Sequence, residues 1–123
     1  MVAYPDAVAL VIAYLNPLLT PPVVSRVPDP RPPEFLQVRR VGGTDLVVRD
    51  QPRLDFFSWA QTEKAAHDLC MQARSLIHAT AGTTLLGVTC YRVEEFLGPH
   101  SADDDASGLP RYWMTVSLTL RAE

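Results

Sequence analysis

The closing segment Tyr112-Trp113-Met114-Thr115-Val116-Ser117-Leu118-Thr119-Leu120 alternates between two sets of side chains. Successive side chains of a β-strand point to opposite faces, so this pattern predicts a strand with one core face and one mixed face suited to solvent or a partner. A second long β-type run, Leu85 to Phe96, precedes it, and a polar loop over 98–110 joins the two. We expect them to pair as an antiparallel hairpin. The predicted core face comprises Tyr112, Met114, Val116, Leu118 and Leu120.

A long helix is predicted between Ser58 and Gly82. Ser58-Trp59-Ala60-Gln61 has the spacing of a capping box, and Gly82 suits the position just past a helix end. Apolar residues between them recur every three or four positions, as on one face of a helix. This stripe predicts packing against the core face of the closing strand. Its members are Ala66, Leu69, Cys70, Ala73, Leu76 and Ile77.

The N-terminal third predicts a short helix followed by a stiff arm. The helix spans Pro5 to Leu15, carries Asp6 in its first turn and stops at Asn16-Pro17. It is apolar nearly all round, so it must be covered by its own fold or by a neighbouring subunit. The arm at 16–33 contains many of the 11 prolines, which exclude a helix. Within it, 23–27 fits a short edge strand or an extended linker equally well.

The middle of the chain predicts a hairpin. Phe35–Val41 is a β-type run, Gly42-Gly43 is a turn signal, and Leu46–Arg49 is a second β-type run. The pattern is interrupted at 50–52 and resumes at 53–57, as a bulge or a new strand. The whole chain, 1–123, therefore predicts one α+β domain. We expect a mainly antiparallel or mixed sheet of about five strands with two helices packed on it.

Composition excludes several classes of protein. A net charge of −3 and a pI near 5.5 argue against a dedicated nucleic-acid binder, which needs a surplus of basic residues on one face. The longest apolar run, Ala7–Leu15, is about half of the roughly 20 residues that cross a bilayer. An acid at position 6 replaces the basic region of a secretory signal, so we expect the chain to stay where it is made. Cys70 and Cys90 sit in apolar patterns that favour buried free thiols.

No group of residues has the spacing of a catalytic or metal site. Glu63 and His67 share a helical face, but His78 lies roughly 16 Å further along it, too far to complete a coordination shell. His100 with Asp103-Asp104-Asp105 lacks the spacing of a calcium loop, and an exposed acidic loop is expected instead. Gly42-Gly43 lacks a phosphate-loop pattern, and no Gly-x-Ser-x-Gly occurs. We expect no catalytic residues, no cofactor and no metal.

The order of short motifs along nearly the whole chain resembles the tail terminator proteins of long-tailed, siphovirus-type actinobacterial bacteriophages. The resemblance begins with Asp6-Ala7 before a short helix and continues through the alanine-bearing helix to the final strand ending at Arg121. None of the shared pieces is catalytic, and another head-tail connector or neck protein would share part of the pattern. The pieces are Val23–Pro28, Arg31–Phe35, Val38–Gly43, Asp50–Pro52, Trp59-Ala60, Gly98-Pro99 and Pro110-Arg111.

This resemblance implies a structural virion protein rather than an enzyme. A homohexameric ring would cap the tail-tube protein, end tube polymerisation and join the head-side connector or stopper protein. DNA would pass through the ring without specific binding, along a channel that we expect to be neutral or acidic. The alternatives are another neck protein, a stopper or adaptor, and a small ligand-binding domain or enzyme. We expect subunit contacts at Val8, Val11, Tyr14, Val23, Val24, Arg26, Arg31 and Phe35, and partner contacts at Asp103, Asp104 and Asp105.

Overall fold

A computed structural model describes residues 4–46 and 48–122, excepting the side chains of 45 and 46. It confirms an α+β fold with two helices, and the sheet has six strands in the described residues rather than about five. The expected strand at 46–49 includes Val47, and the expected domain 1–123 includes 1–3 and 123, all outside the described residues. The elements in chain order are α1 (Ala7–Leu15), β1 (Val23–Val24), β2 (Phe35–Leu46), β3 (Arg49–Trp59), α2 (Glu63–His78), β4 (Thr83–Leu85), β5 (Val88–Ser101) and β6 (Arg111–Arg121).

The sheet has the strand order β1-β2-β3-β6-β5-β4. Every neighbouring pair is antiparallel except β1 and β2, which are parallel. Helix α2 packs on β3, β6 and β5 at the centre. Helix α1 contacts β1 and β2 at one edge and also β4 at the other. Both edges of the sheet therefore curl towards α1, and the two helices lie on the same side.

The core lies between the helices and one face of the sheet, as the two sequence periodicities predict. Leu69, Cys70, Ala73 and Ile77 of α2 are buried in one cluster with the apolar side chains of β6. Leu76, expected in the same stripe, is only partly buried at the border with α1. The strand side of the cluster comprises Leu36, Val38, Leu54, Phe56, Cys90, Met114, Val116, Leu118 and Leu120.

The predicted start of α2 is wrong by several residues. Ser58 is not a helix cap, because it lies near the end of β3 with a buried hydroxyl that donates to the Ala66 carbonyl at 2.6 Å. Thr62 caps the helix instead, and its hydroxyl accepts from the Ala65 amide at 3.1 Å. The capping-box spacing was misleading because the apolar strand continues through Trp59, so burial decided against an earlier helix start.

The predicted hairpin turn at Gly42-Gly43 is also wrong. Strand β2 runs through both glycines to Leu46, and β3 runs without interruption through Pro52. The pair shifts register between Arg40 and Gly43, which makes the glycines a bulge rather than a turn. Gly43 has a φ of +109°, and a Cβ there would lie 2.1 Å from the Gln51 carbonyl oxygen. Only glycine fits this close approach of two strands.

The predicted run from Leu85 to Phe96 is divided into two strands. Leu86 and Gly87, both at positive φ, form the tight turn between β4 and β5. Strand β5 then continues through Pro99 to Ser101, beyond its predicted end, and pairs with β6 as expected. The extra length arises because three register shifts let β5 absorb residues that a regular strand would exclude.

The N-terminal helix and the arm pack on the rest of the same chain. Asp6 is the N-cap of α1 rather than a first-turn residue, and its carboxylate accepts from the Ala9 amide at 3.1 Å. Val23 and Val24 form a two-residue edge strand beside β2, so the arm combines the two alternatives left open by its sequence. Asn16 fixes it by two bonds with the Val23 backbone. Among the described residues, none of the helices is long and apolar enough to span a membrane.

Candidate partner-binding surface

Three of the expected subunit-contact residues lie inside the subunit. Val11 of α1 is fully buried against the rest of the core, and Val23 and Phe35 are 3% and 1% exposed. Phe35 stacks on Trp59 with ring centroids 5.4 Å apart. These three side chains stabilise the fold of their own chain and are inaccessible to a neighbour. Their assignment as interface residues is corrected accordingly, because each of the three side chains is covered by its own chain.

The other expected contact residues remain at least partly accessible. Val8 and Tyr14 are half-buried on α1, and Tyr14 donates its hydroxyl to the Leu76 carbonyl at 2.8 Å. Val24 is half-buried and Arg26 is exposed in the arm. Arg31 places its guanidinium 5.4 Å from the centre of the Trp59 ring. Of these residues, Arg31 alone lies in a larger cluster of arginine and aromatic side chains, which is described below.

The three aspartates of the 102–110 loop have different surroundings. Asp103 and Asp105 are exposed, whereas Asp104 is half-buried and accepts from the Ser107 hydroxyl at 2.5 Å and the Ser107 amide at 2.9 Å. The Ser107 bonds lower the pKa of Asp104, and Arg111 and Arg31 act in the same direction from 3.8 and 3.9 Å. Asp104 therefore connects the loop and the arm to the start of β6, whereas Asp103 and Asp105 remain exposed.

The side of the sheet away from the helices carries a dense set of arginine and aromatic side chains, which we call the open face. Cα partners in the register share a face, so Arg39, Asp55 and Thr115 lie on it, opposite the core residues Val38, Phe56 and Met114. Most of the 11 basic residues of the chain lie on or over it. They are Arg31, Arg39, Arg49, Arg53, Arg92, Arg111 and Arg121.

The arginines of the open face lie against aromatic rings. Arg53 sits 3.8 Å from the centre of the Phe96 ring, and Arg49 sits 4.3 Å from that of Tyr91. Arg111 lies between two rings, 4.7 Å from Phe57 and 5.0 Å from Trp59. Such cation–π contacts hold the flexible side chains in place, which lowers the entropy lost when a partner binds.

A further aromatic group continues the surface towards the end of β5. Phe57 stacks on Trp113 with centroids 5.6 Å apart, and His100 packs on the same Trp113 at 5.1 Å. Beneath the rings, the buried Asp55 carboxylate accepts from the Thr115 hydroxyl at 2.6 Å. The polar groups of Asp55 and Thr115 are thus bonded to each other beneath the open face. The aromatic rings and guanidinium groups form the outer layer of this face.

Two polar groups of the open face are left without a partner. Arg53 Nε and Trp113 Nε1 are both shielded from solvent and have no hydrogen-bond acceptor among the described residues. Shielded donors are nearly always bonded in native proteins, so an unpaired one needs an explanation. A partner would reach either atom only if the side chains that cover it moved.

The open face could not be recognised in the sequence, because the predicted β-type pattern was interrupted at 50–52. With β3 continuous over Arg49–Trp59, alternate positions place Arg53, Asp55, Phe57 and Trp59 on one face beside Trp113. A period of two over this segment was the available signal.

Titratable side chains on the helix side form ion pairs rather than a coordination site. Glu95 of β5 accepts from the Arg74 guanidinium and lies 3.2 Å from His78 Nε2. The Arg74 hydrogen bond lowers the pKa of Glu95, with a further contribution from His78. Within 4–46 and 48–122, no group of three or more His, Cys, Asp or Glu residues is arranged to hold a metal ion. No pocket is found in the same residues.

Comparison of the sequence with known protein families and with curated proteins gives no match.

Proposed function

We propose that this chain is the tail terminator of a long-tailed bacteriophage. In this proposal it forms a homohexameric ring in the neck of the virion after assembly in the bacterial cytoplasm. One side of the ring caps the last ring of the tail-tube protein and ends its polymerisation. The other side joins the head-side connector or stopper protein. The function is binding, and the resemblance in the order of motifs gives the particular class.

The open face is the observation that carries a binding function. Arginine and aromatic residues are enriched in protein interfaces and dominate their binding energy, because they offer large contact areas at low entropic cost. Here they form one continuous layer, preorganised by cation–π contacts, with the shielded donors of Arg53 and Trp113 unpaired. We assign this layer to contact with the tube protein or the connector.

The charge of the open face constrains how such a ring is oriented. The sequence predicts a neutral or acidic channel, which DNA can traverse without salt-dependent attraction at each phosphate. The open face carries basic side chains in excess, including Arg39, Arg49 and Arg53. A neutral or acidic channel therefore requires that this face point away from the lumen.

The test is polymerisation of the tail-tube protein encoded by the same genome, with and without the chain. A terminator will bind one end of each tube and stop its growth, as electron microscopy of tube lengths will show. Arg53→Ala should weaken tube capping or connector binding about tenfold or more, as is usual for an interface arginine. Lys64→Ala, exposed on α2, is the matched control.

The same experiment separates the neighbouring functions. Binding along the head-side connector with no effect on tube growth would favour a stopper or adaptor. A monomer at tens of micromolar that binds neither partner would reject a neck function and favour a small ligand-binding domain or enzyme.

A further inference from the structure

Both edges of the sheet leave long stretches of strand unpaired. Strand β1 pairs only with Leu36 and Gln37 of β2, and β4 pairs only with Val88–Cys90 of β5. Among the described strands, nothing else pairs with the outward side of β2 after Gln37 or of β5 after Cys90. An unpaired strand edge presents backbone N–H and C=O groups that can pair with a strand of another chain.

The two unpaired stretches lie at the same height in the sheet. Arg40 of β2 pairs with Leu54, Leu54 pairs with Val116, and Val116 pairs with Glu95 of β5. Arg40 and Glu95 are thus the two ends of one row that crosses the sheet. Because β2 runs antiparallel to β5, a second copy placed beside the first in the same orientation sets its β2 edge antiparallel to the first copy's β5 edge. In that position, with no shift along the strands, Arg40 faces Glu95.

The two edges are complementary in charge. Arg40 is bonded to Asp50 and Glu95 to Arg74 within the same chain, so the charges available for a contact are Arg39 on the β2 edge and the exposed Glu94, 3.4 Å from Arg92, on the β5 edge. Opposite charges on adjacent strands stabilise the pair and like charges destabilise it. The opposite charges of Arg39 and Glu94 therefore favour contact of β2 with β5 over contact of β2 with β2.

Exposed apolar side chains also lie beside these charges on both edges. Val41 follows the arginines and is 38% exposed, whereas Phe96 and Leu97 follow the glutamates and are 63% and 38% exposed. Register shifts lie next to both stretches, between Arg40 and Gly43 and between Glu95 and Leu97. Bulges hinder pairing with an arbitrary strand, which restricts the contact to a short segment with the right partner.

We propose that copies of this chain join head to tail, with the β2 edge of one copy against the β5 edge of the next. In this antiparallel register Arg40 lies opposite Glu95, Arg39 opposite Phe96 and Val41 opposite Glu94. Arg39 is then a diagonal neighbour of Glu94 on one face of the joined sheet, and Val41 is a diagonal neighbour of Phe96. The contact is heterologous, so each copy keeps one free edge until the assembly closes into a ring. The inference rests on the proposed ring-forming function and identifies the surfaces that build the ring.

The experiment uses charge reversal at one position on each edge. Arg39→Glu places an acidic side chain near Glu94 of the next copy, and Glu94→Arg places a basic side chain near Arg39 of the next copy. Each variant alone should associate at least tenfold more weakly than the wild-type chain, because like charges then meet at every contact. A one-to-one mixture should restore the assembly, since alternating copies match at each contact around a ring with an even number of subunits. The double variant Arg39→Glu/Glu94→Arg should also assemble.

Masses at tens of micromolar, from sedimentation velocity or native mass spectrometry, give the readout. Lys64→Glu is the control for a charge change away from both edges, and urea midpoints establish that every variant is folded. Single variants that assemble like the wild type, or a mixture that stays dissociated, would overturn the edge contact while leaving a ring-forming function intact. A wild-type chain that remains monomeric, alone and with tail tubes, would overturn both.

Discussion

The hydroxyl of Tyr14 donates to the backbone carbonyl of Leu76 at 2.8 Å and joins the two helices directly. The sequence suggested Tyr14 as a contact between subunits, and the structure gives it a partner in its own chain. The bond is partly buried.

Tyr14→Phe should therefore destabilise the isolated subunit. Loss of one hydrogen bond lowers the free energy of unfolding by about 0.5–1.5 kcal/mol. Urea denaturation gives the value, and Tyr91→Phe is the control because the ring under Arg49 is retained. Equal midpoints for wild type and Tyr14→Phe would show that this bond contributes nothing.

The different burial of two neighbouring side chains of α2 predicts different losses of stability when each is replaced by alanine. Ile77→Ala should cost about 2–5 kcal/mol, because its side chain is fully buried and leaves a cavity. Leu76→Ala should cost clearly less, since Leu76 is only partly buried beside α1. Chemical denaturation of the two variants tests the order. A larger loss for Leu76→Ala would contradict the packing of α2 described above.

The elements with strong periodicity were predictable from the sequence, and the boundaries between them were not. The alternation in β6 and the stripe of α2 each have one buried face, so burial and sequence pattern agree. At Ser58 and at Gly42-Gly43, local signals for a cap and a turn competed with strand pairing over a longer stretch. Strand pairing determined the structure at both places. The open face could be recognised only once β3 was known to be continuous over Arg49–Trp59.

The bulge in β2 allows a comparison of two adjacent glycines. Both have positive φ, +124° at Gly42 and +109° at Gly43, but only a Cβ on Gly43 would meet another atom. Gly42→Ala should cost about 1–3 kcal/mol from backbone strain alone. Gly43→Ala should cost at least about 2 kcal/mol more, because the Gln51 carbonyl would have to move. Thermal or urea unfolding measures the difference, and similar values for the two variants would argue against the close approach.

The two cysteines should be unreactive in the folded chain. Cys70 and Cys90 are buried free thiols, and burial raises the pKa of Cys70 to about 11. Since the thiolate is the reactive species, a thiol reagent at pH 8 should modify neither residue until the chain unfolds. Mass spectrometry after brief labelling, with and without denaturant, gives the answer. Rapid modification of Cys70 without denaturant would place it at the surface.

The ion pair between β5 and α2 predicts a dependence of stability on pH. The Arg74 hydrogen bond lowers the pKa of Glu95 in the folded chain, so its stabilising contribution is fully present above the ordinary glutamate pKa of about 4.3. The contribution is lost as the pH falls through the lowered pKa, because the folded state then gains the proton last. Both side chains are partly exposed, so solvent screening limits the contribution to about 0.2–1 kcal/mol.

Glu95→Gln should therefore be less stable than the wild type at pH 7, and the difference should vanish below the lowered pKa of Glu95, where the protonated glutamic acid is as uncharged as the glutamine. Urea unfolding at low protein concentration keeps any contact between copies out of the measurement. Arg74→Gln is the matched variant: in its background, Glu95→Gln should lose most of its pH-dependent effect. A difference between wild type and Glu95→Gln that stays constant down to the lowest pH would show that Arg74 and Glu95 are not coupled through charge.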